Sequence, residues 1–247
     1  MPDWSAFTVV DWNLFAMACI VVAAAALLQS MVGIGFGMVA APVLAIIDPV
    51  MVPGPLLALA LAMAALMLAR EWHSVDREGL VFALMGRIPM SFLAGLTAGL
   101  LSPQLFMLVF AAIILVAVGL SLSGWRLPAT RRNLLLAGGV SGYMGTITSV
   151  GAPPMAIVYQ HAAGPTLRGT MGAYFVIGTT VSIAALALFG QFDLADLSLT
   201  LKLVPALFVG FFLSRWFVGF ADRGWLRGAV LTICVLSSVA LIAKSMM

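Results

Sequence analysis

The sequence predicts an all-α integral membrane protein with two tandem repeats, each a glycine-broken helical hairpin followed by three transmembrane helices. Of the 247 residues, 63% are hydrophobic and 9% are charged, and the mean hydropathy is +1.16. Soluble domains carry about 25% charged residues. Apolar runs long enough to cross a hydrocarbon core of about 30 Å recur along the whole chain. Similar glycine and proline patterns also occur in both halves, which is typical of duplicated membrane proteins.

No polar stretch is large enough to fold separately, so residues 1–247 are predicted to form a single membrane domain. The first basic residue is Arg70, so the apolar N-terminal segment lacks the positive charges of a cleavable signal peptide. Cys19 and Cys234 lie within apolar runs, where a thiol behaves as a small hydrophobic group. The net charge of +3 is spread over loops, which argues against nucleic acid as a partner. The expected surroundings are the lipid bilayer of the cell inner (plasma) membrane.

The two halves share the order of their glycines and prolines. Residues 33–37 (Gly-Ile-Gly-Phe-Gly) precede Pro42, and residues 145–151 (Gly-Thr-Ile-Thr-Ser-Val-Gly) precede Pro153 and Pro154. When Pro42 is placed on Pro154, the first glycines of the two motifs also coincide. This match predicts repeat one at about 12–122 and repeat two at about 133–244.

Each half predicts one broken element and three ordinary spans. Residues 12–47 would form a helix of about 54 Å at 1.5 Å per residue, which is too long for one crossing, so the glycines must break it. The spans expected after the two broken elements are 54–69, 79–101 and 104–122, and then 166–190, 198–218 and 225–243.

The distribution of basic residues favours hairpins over single crossings. If each broken element crosses once, Lys and Arg divide almost evenly between the two faces, which is a poor positive-inside pattern. If each element returns to the face that it entered, nine of the ten arginines fall on the cytoplasmic side. Lys244 is then misplaced, and Arg87 and Lys202 remain within the membrane. We therefore predict inverted repeats whose hairpin tips enter from opposite faces.

The broken elements have the composition that a substrate site near the bilayer midplane requires. Glycines let the backbone approach a ligand, and each returning half-helix points the positive end of its dipole at the break. The alternative is that the glycines only allow close helix packing, but two runs at matching positions favour a site. Neighbouring hydroxyl and amide groups add hydrogen-bond donors. The residues expected to bind substrate are Gln29, Ser30, Gly33, Gly35, Phe36, Gly37, Arg87, Tyr143, Gly145, Thr148, Ser149, Gly151 and Pro153.

Arg87 predicts the charge of that substrate. It lies about eight residues into a predicted span, where an ionisable group indicates function, and no carboxylate occurs at comparable depth. Lys202 lies nearer a membrane face, where extension to the lipid headgroups is at least as good an explanation. His73 and His161 have no partner at metal-ligand spacing, so no metal and no other cofactor is predicted. A cationic or neutral site suits a small anionic substrate.

The duplicated motifs at 33–42 and 145–154 resemble those of the TauE/SafE sulfite exporter family (TSUP), also called the toluene sulfonate uptake permease family. Size, repeat plan and polar-poor spans match over nearly the whole chain. The resemblance implies transport of sulfur-containing oxyanions or small organic anions, including sulfite, thiosulfate, sulfoacetate and other sulfonates. Family members are usually described with seven or eight spans, whereas the charge pattern here favours six spans plus two hairpins, or ten helices if the hairpins are deep.

The residues and the resemblance together predict a secondary transporter, or permease, for a small sulfur-containing anion, and not an enzyme. One alternative is a channel or permease for another small organic anion. An alternative of another class is an intramembrane enzyme, for which Ser149 and His161 form the candidate nucleophile and base. The sequence allows a homodimer as well as a monomer.

Overall fold

The computed structural model describes residues 12–32, 35–217 and 225–245, and within these ranges all the regular secondary structure is helical. The predicted all-α membrane class is therefore confirmed. Short 3-10 turns at Pro49–Met51 and Trp72–Ser74 flank the third helix. The α-helices in chain order are α1 (Trp12–Val32), α2 (Phe36–Ile47), α3 (Gly54–Glu71), α4 (Arg77–Leu100), α5 (Pro103–Leu122), α6 (Arg131–Thr148), α7 (Ala152–Tyr159), α8 (Gly164–Leu188), α9 (Leu194–Phe217) and α10 (Trp225–Ser245).

Six of the described helices, namely α1, α3, α4, α5, α8 and α9, are long and apolar enough to cross a membrane. The chain is therefore a multi-pass membrane protein. This set differs from the six expected spans in one member. The first arm of the first hairpin, α1, is itself long enough to cross, whereas the described apolar part of α10 covers only Leu231–Ile242.

Side-chain caps set the starts of three consecutive helices. The Asp76 carboxylate accepts a hydrogen bond from the Gly79 amide at 3.0 Å and so begins α4. Ser102 and Thr130 cap α5 and α6 in the same way. Because such residues satisfy amides that have no partner within the helix, they fix helix starts locally. These starts lie within a few residues of the boundaries expected from hydropathy.

Both elements at 12–47 and 131–159 are broken near their glycines. Gly33 and Ile34 lie outside the described residues, and the next residue, Gly35, has a φ of +135° that favours glycine. The second break centres on Ser149, which has a φ of +61° although it carries a side chain. Pro153 and Pro154 follow in the first turn of α7, where a missing N–H removes no intrahelical bond.

Loop contacts define two faces of the helix bundle. On one face, the Tyr159 hydroxyl donates to Asp76 at 2.9 Å, and the Gln160 side chain donates to the Trp125 carbonyl at 3.0 Å. We call this the arginine face; it contains the loops 72–76, 123–130 and 160–163. On the opposite face, the Thr200 hydroxyl donates to the Pro55 carbonyl at 3.4 Å. That face contains the loops 48–53, 101–102 and 189–193.

Each broken element turns back towards the face on which it starts. The second leaves the arginine face at Arg131 and returns to it at Tyr159. The first comes near the arginine face at Ser30, which shares a small pocket with Arg168, and then α2 runs to the opposite face. Each long hairpin arm packs on a span of the other half, α1 on α9 and α6 on α4. The repeat boundaries and the inverted relation of the halves stay predictions.

Thiol labelling tests this topology. In a variant without Cys19 and Cys234, cysteines introduced at Trp125 and Gln191, both exposed, are expected to react with an impermeant reagent from opposite sides of the membrane. The positive-inside pattern places Trp125 on the cytoplasmic side. Labelling of both positions from one side would contradict the two faces described above.

Candidate functional site

The breaks in the two hairpins meet inside the bundle. A Cβ atom on Gly37, in the first turn of α2, would overlap the carbonyl oxygen of Ser149 and would lie 3.5 Å from the Val150 amide nitrogen. Gly145 and Gly151 are also close, because a Cβ on either would lie 3.3 Å from the Cα of the other. Backbone segments can approach this closely only where side chains are absent. The glycines therefore bring two separate chain breaks to one point.

A cavity of about 50 Å³ lies at this meeting point, with room for about four water molecules. Helices α3 and α8 complete its wall with mostly apolar side chains, including Ala60, Met63, Met67, Met171 and Phe175. The lining thus combines polar groups, most of them at the hairpin tips, with mostly apolar side chains of α3 and α8. Eight of the thirteen predicted site residues line it: Gln29, Gly35, Phe36, Gly37, Arg87, Gly145, Ser149 and Gly151.

The other predicted residues lie elsewhere. Ser30 faces the small pocket on the arginine face, and its hydroxyl donates to the Ala26 carbonyl at 2.7 Å. Tyr143 is half-buried and accepts a hydrogen bond from Thr97 at 3.3 Å. Thr148 and Pro153 are buried outside the cavity lining, and Gly33 lies outside the described residues. Helix geometry explains these positions, because residues one or two apart point in different directions from the axis.

Arg87 is the charged group of the cavity. Arg87 is only 1% exposed, and its Nη1 donates a hydrogen bond to the Ser141 hydroxyl oxygen at 3.4 Å. Its guanidinium carbon lies 4.7 Å from the Tyr174 ring centroid and 5.4 Å from that of Phe175. Within the described ranges, its Nε has no hydrogen-bond partner, and none of the ion pairs includes it. Aromatic faces offset part of the cost of a buried cation, but no carboxylate among the described residues neutralises it.

Glycines create the slot that holds this arginine. On α6, a Cβ on Gly138 would overlap the Ala83 carbonyl of α4, so the two helix backbones touch. A Cβ on Gly142 would lie 2.6 Å from the Arg87 carbonyl oxygen. On α8, a Cβ on Gly178 would overlap the Arg87 Nε atom. Small residues allow such close helix approach in membranes, and here they leave room for the arginine side chain.

The first hairpin supplies backbone donors. The side-chain Oε1 of Gln29 accepts a hydrogen bond from the Phe36 amide at 2.9 Å and thereby anchors the start of α2. The first intrahelical bond of α2 runs from the Val39 amide to the Gly35 carbonyl at 3.0 Å. The amides of Gly37 and Met38 therefore precede the intrahelical ladder, and both residues line the cavity. Such amides at a helix N-terminus are suitable donors to an oxyanion.

The second hairpin supplies fewer amides and one hydroxyl. Pro153 and Pro154 have no N–H, so the α7 start offers at most the amides of Gly151 and Ala152. The Ser149 hydroxyl oxygen is buried and has no partner among the described atoms. Its left-handed conformation costs about 1–2 kcal/mol, and residues held in this way cluster at ligand sites. Ser149 is therefore the side chain of this tip that is best placed for a ligand.

Sequence reasoning missed the residues that complete the site. Ser141 touches Arg87, Tyr174 lies under its guanidinium, and Thr179 lines the cavity on α8. Helical spacing could have found part of this set. Met171, Phe175 and Thr179 are four residues apart and so share one face of α8, and Ser141 lies one turn before Gly145.

Comparison with known protein families gives a match over nearly the whole chain. The family described as Sulfite exporter TauE/SafE matches residues 18–241, a range that contains both glycine-rich breaks and every residue that lines the cavity. No curated protein and no solved structure gives a significant match. The matched range far exceeds half of the chain, which therefore belongs to the sulfite exporter TauE/SafE family of membrane transporters.

Proposed function

We propose that this protein is a secondary transporter of the inner membrane that carries a small sulfur-containing oxyanion through the cavity between the two hairpin tips. The observation that carries the proposal is Arg87, a buried cation on the cavity wall without a carboxylate partner in the described ranges. An unpaired charge in this position is costly. A bound anion would offset that cost, so the site favours an anionic ligand.

Size and surface chemistry support a particular kind of anion. The polar groups of the lining include one guanidinium, the Ser149 hydroxyl and the amides of Gly37 and Met38, which suit a ligand with several acceptor oxygens. The cavity of about 50 Å³ holds about four water molecules, comparable to sulfite with its four heavy atoms. A longer organosulfonate would place its carbon atoms beside the apolar side chains of α3, such as Ala60 and Met63, after these side chains move aside.

We infer that transport proceeds by alternating exposure of this cavity. The hairpin tips form one wall, and α3 and α8 form the other. On the arginine face, α3 and α8 are joined by the ion pair between Glu71 and Arg168, with an N–O distance of 2.9 Å. The small pocket beside this pair shares Met67 with the cavity wall. Movement of the hairpins relative to α3 and α8 would then open the cavity to one face at a time.

Two alternatives have less support. A channel requires a continuous water path, whereas the cavity at the tips is small and its charged group is buried. An intramembrane enzyme would need a base beside Ser149, but His161 is exposed beyond the end of α7. The homodimer stays a prediction.

A ligand screen of the purified protein tests the proposal. Thermal unfolding in detergent is measured with sulfite, thiosulfate, sulfoacetate, isethionate, sulfate and acetate. Sulfite and short sulfonates are expected to stabilise the protein by about 2.7 kcal/mol at a hundredfold excess over Kd, and acetate is expected to have no effect. Flux into proteoliposomes should saturate with concentration and carry no single-channel current. Absence of stabilisation by every sulfur oxyanion would contradict the proposal.

A further inference from the structure

We propose that Ser141 is a positioning residue that ties the Arg87 guanidinium to the tip of the second hairpin. The inference rests on the proposed function, in which Arg87 binds the anion. Ser141 holds the guanidinium in place and links its position to the backbone of Gly151, which lines the cavity.

The contacts of Ser141 form a directional chain. Ser141 lies on α6 and is fully buried. Its hydroxyl donates to the carbonyl oxygen of Gly151, the residue that precedes α7, and accepts from Arg87 Nη1 at 3.4 Å. A serine hydroxyl has one proton and two lone pairs, while a guanidinium can only donate. The two contacts are therefore compatible, and the order Arg87, Ser141, Gly151 is fixed by chemistry.

The glycines around Arg87 restrict its aliphatic carbons, so rotation of the guanidinium plane is the movement that is left to the side chain. Gly142 and Gly178 enclose the aliphatic stem, because a Cβ on either would come closer to Arg87 than packing permits. The aromatic ring of Tyr174 lies under the guanidinium without accepting a conventional hydrogen bond. Ser141 is thus the described side chain that sets the rotation of the guanidinium plane, and with it the direction in which the other nitrogens point.

The far end of the chain lies in the cavity wall. Gly151 lines the cavity, together with Ser149 and Ala152 on the same hairpin tip. Gly151 also packs against Gly145, so its carbonyl cannot shift without moving the start of α7. An anion that draws the guanidinium towards itself would pull on Ser141 and, through it, on this tip. Occupancy of the site and position of the second hairpin are thereby coupled.

The first test replaces Ser141 with alanine. In proteoliposomes, Ser141→Ala is expected to raise the KM for sulfite about tenfold, the size expected for one hydrogen bond to a charged group, with little change in maximal rate. Ser141→Thr keeps the hydroxyl and should restore most of the affinity. The matched control is Ser238→Ala, which removes another fully buried hydroxyl, one without a partner among the described atoms, on α10. A KM unchanged from wild type in Ser141→Ala would overturn the proposal.

A double-mutant cycle separates positioning from a general structural role. Arg87→Lys retains the charge but not the planar guanidinium. If Ser141 acts through the guanidinium, Ser141→Ala should cost less than about twofold in sulfite affinity in the Arg87→Lys background, because interacting residues are not additive. The same tenfold loss in both backgrounds would overturn the link between the two residues.

A third measurement needs no substrate. Amide hydrogen exchange in detergent is followed for peptides covering residues 149–152. Both Ser141→Ala and Arg87→Lys are expected to speed exchange at the Gly151 and Ala152 amides, whereas Ser238→Ala should not. Faster exchange in Ser141→Ala alone would show that Ser141 holds the tip independently of Arg87 and would overturn the proposal. If no sulfur oxyanion binds the wild-type protein, the proposed function fails, yet this experiment still decides the positioning role.

Discussion

Replacing Arg87 with methionine is expected to abolish sulfite binding and transport while raising the thermal stability of the empty protein. Arg87→Met would remove one partner of a buried, hydrogen-bonded charge pair with the anion. Such a loss costs about 2–5 kcal/mol of binding free energy, which lowers affinity at least about thirtyfold. In the empty protein, however, the guanidinium has no carboxylate partner in the described ranges. Exchanging buried charges for apolar groups is often stabilising by about 1–4 kcal/mol. The measurements are sulfite flux in proteoliposomes and thermal unfolding with and without sulfite.

Arg131 provides the matched control for this substitution. It forms an ion pair with Glu78 on the arginine face, with an N–O distance of 2.8 Å and both side chains mostly exposed. Such pairs contribute about 0–1 kcal/mol, so Arg131→Met should leave both transport and stability close to wild type. Continued sulfite transport by Arg87→Met at the wild-type KM would remove Arg87 from the binding site.

Replacing Gly37 with valine is expected to reduce transport to background while the protein still inserts into the membrane. The first added carbon would overlap the Ser149 carbonyl oxygen and force the two hairpin tips apart. Overpacking of this kind costs about 1–3 kcal/mol, which a large membrane bundle can tolerate, but it would displace the Gly37 and Met38 amides from the cavity wall. Membrane fractionation measures insertion, and flux in proteoliposomes measures transport.

Two other glycines serve as comparisons. At Gly119 on α5, none of the described atoms lies within 4 Å of an added Cβ, so Gly119→Val should transport normally. At Gly35 the described atoms also leave an added Cβ without a contact, but the φ of +135° disfavours any side chain, so Gly35→Ala tests backbone strain separately from contact. Normal transport by Gly37→Val would show that contact between the tips is not required.

Much of the architecture could be predicted from sequence because membrane burial requires internally satisfied backbone. Apolar length located the spans, and the glycine runs located both breaks. Arg87 is a predicted site residue because an ionisable residue inside a span usually indicates function. These signals depend on single residues or short windows, so they are available without knowledge of tertiary packing.

Side-chain direction could not be predicted in the same way. Ser30 and Tyr143 lie in or beside the motifs, yet rotation about the helix axis points them away from the cavity. The apolar wall on α3 and α8 was missed for another reason. Met63, Met171 and Phe175 are chemically ordinary core residues in a membrane protein, and only their arrangement around Arg87 distinguishes them.

The consecutive prolines of α7 make the two hairpins unequal partners for a ligand. The first hairpin presents the amides of Gly37 and Met38, whereas Pro153 and Pro154 remove the equivalent donors from the second. Withdrawal of α2 would therefore strip a bound oxyanion of more donors than withdrawal of α7. A carrier with such an imbalance holds its cargo less tightly when open to one compartment than to the other. Half-saturation of transport would therefore occur at different substrate concentrations on the two sides of a vesicle.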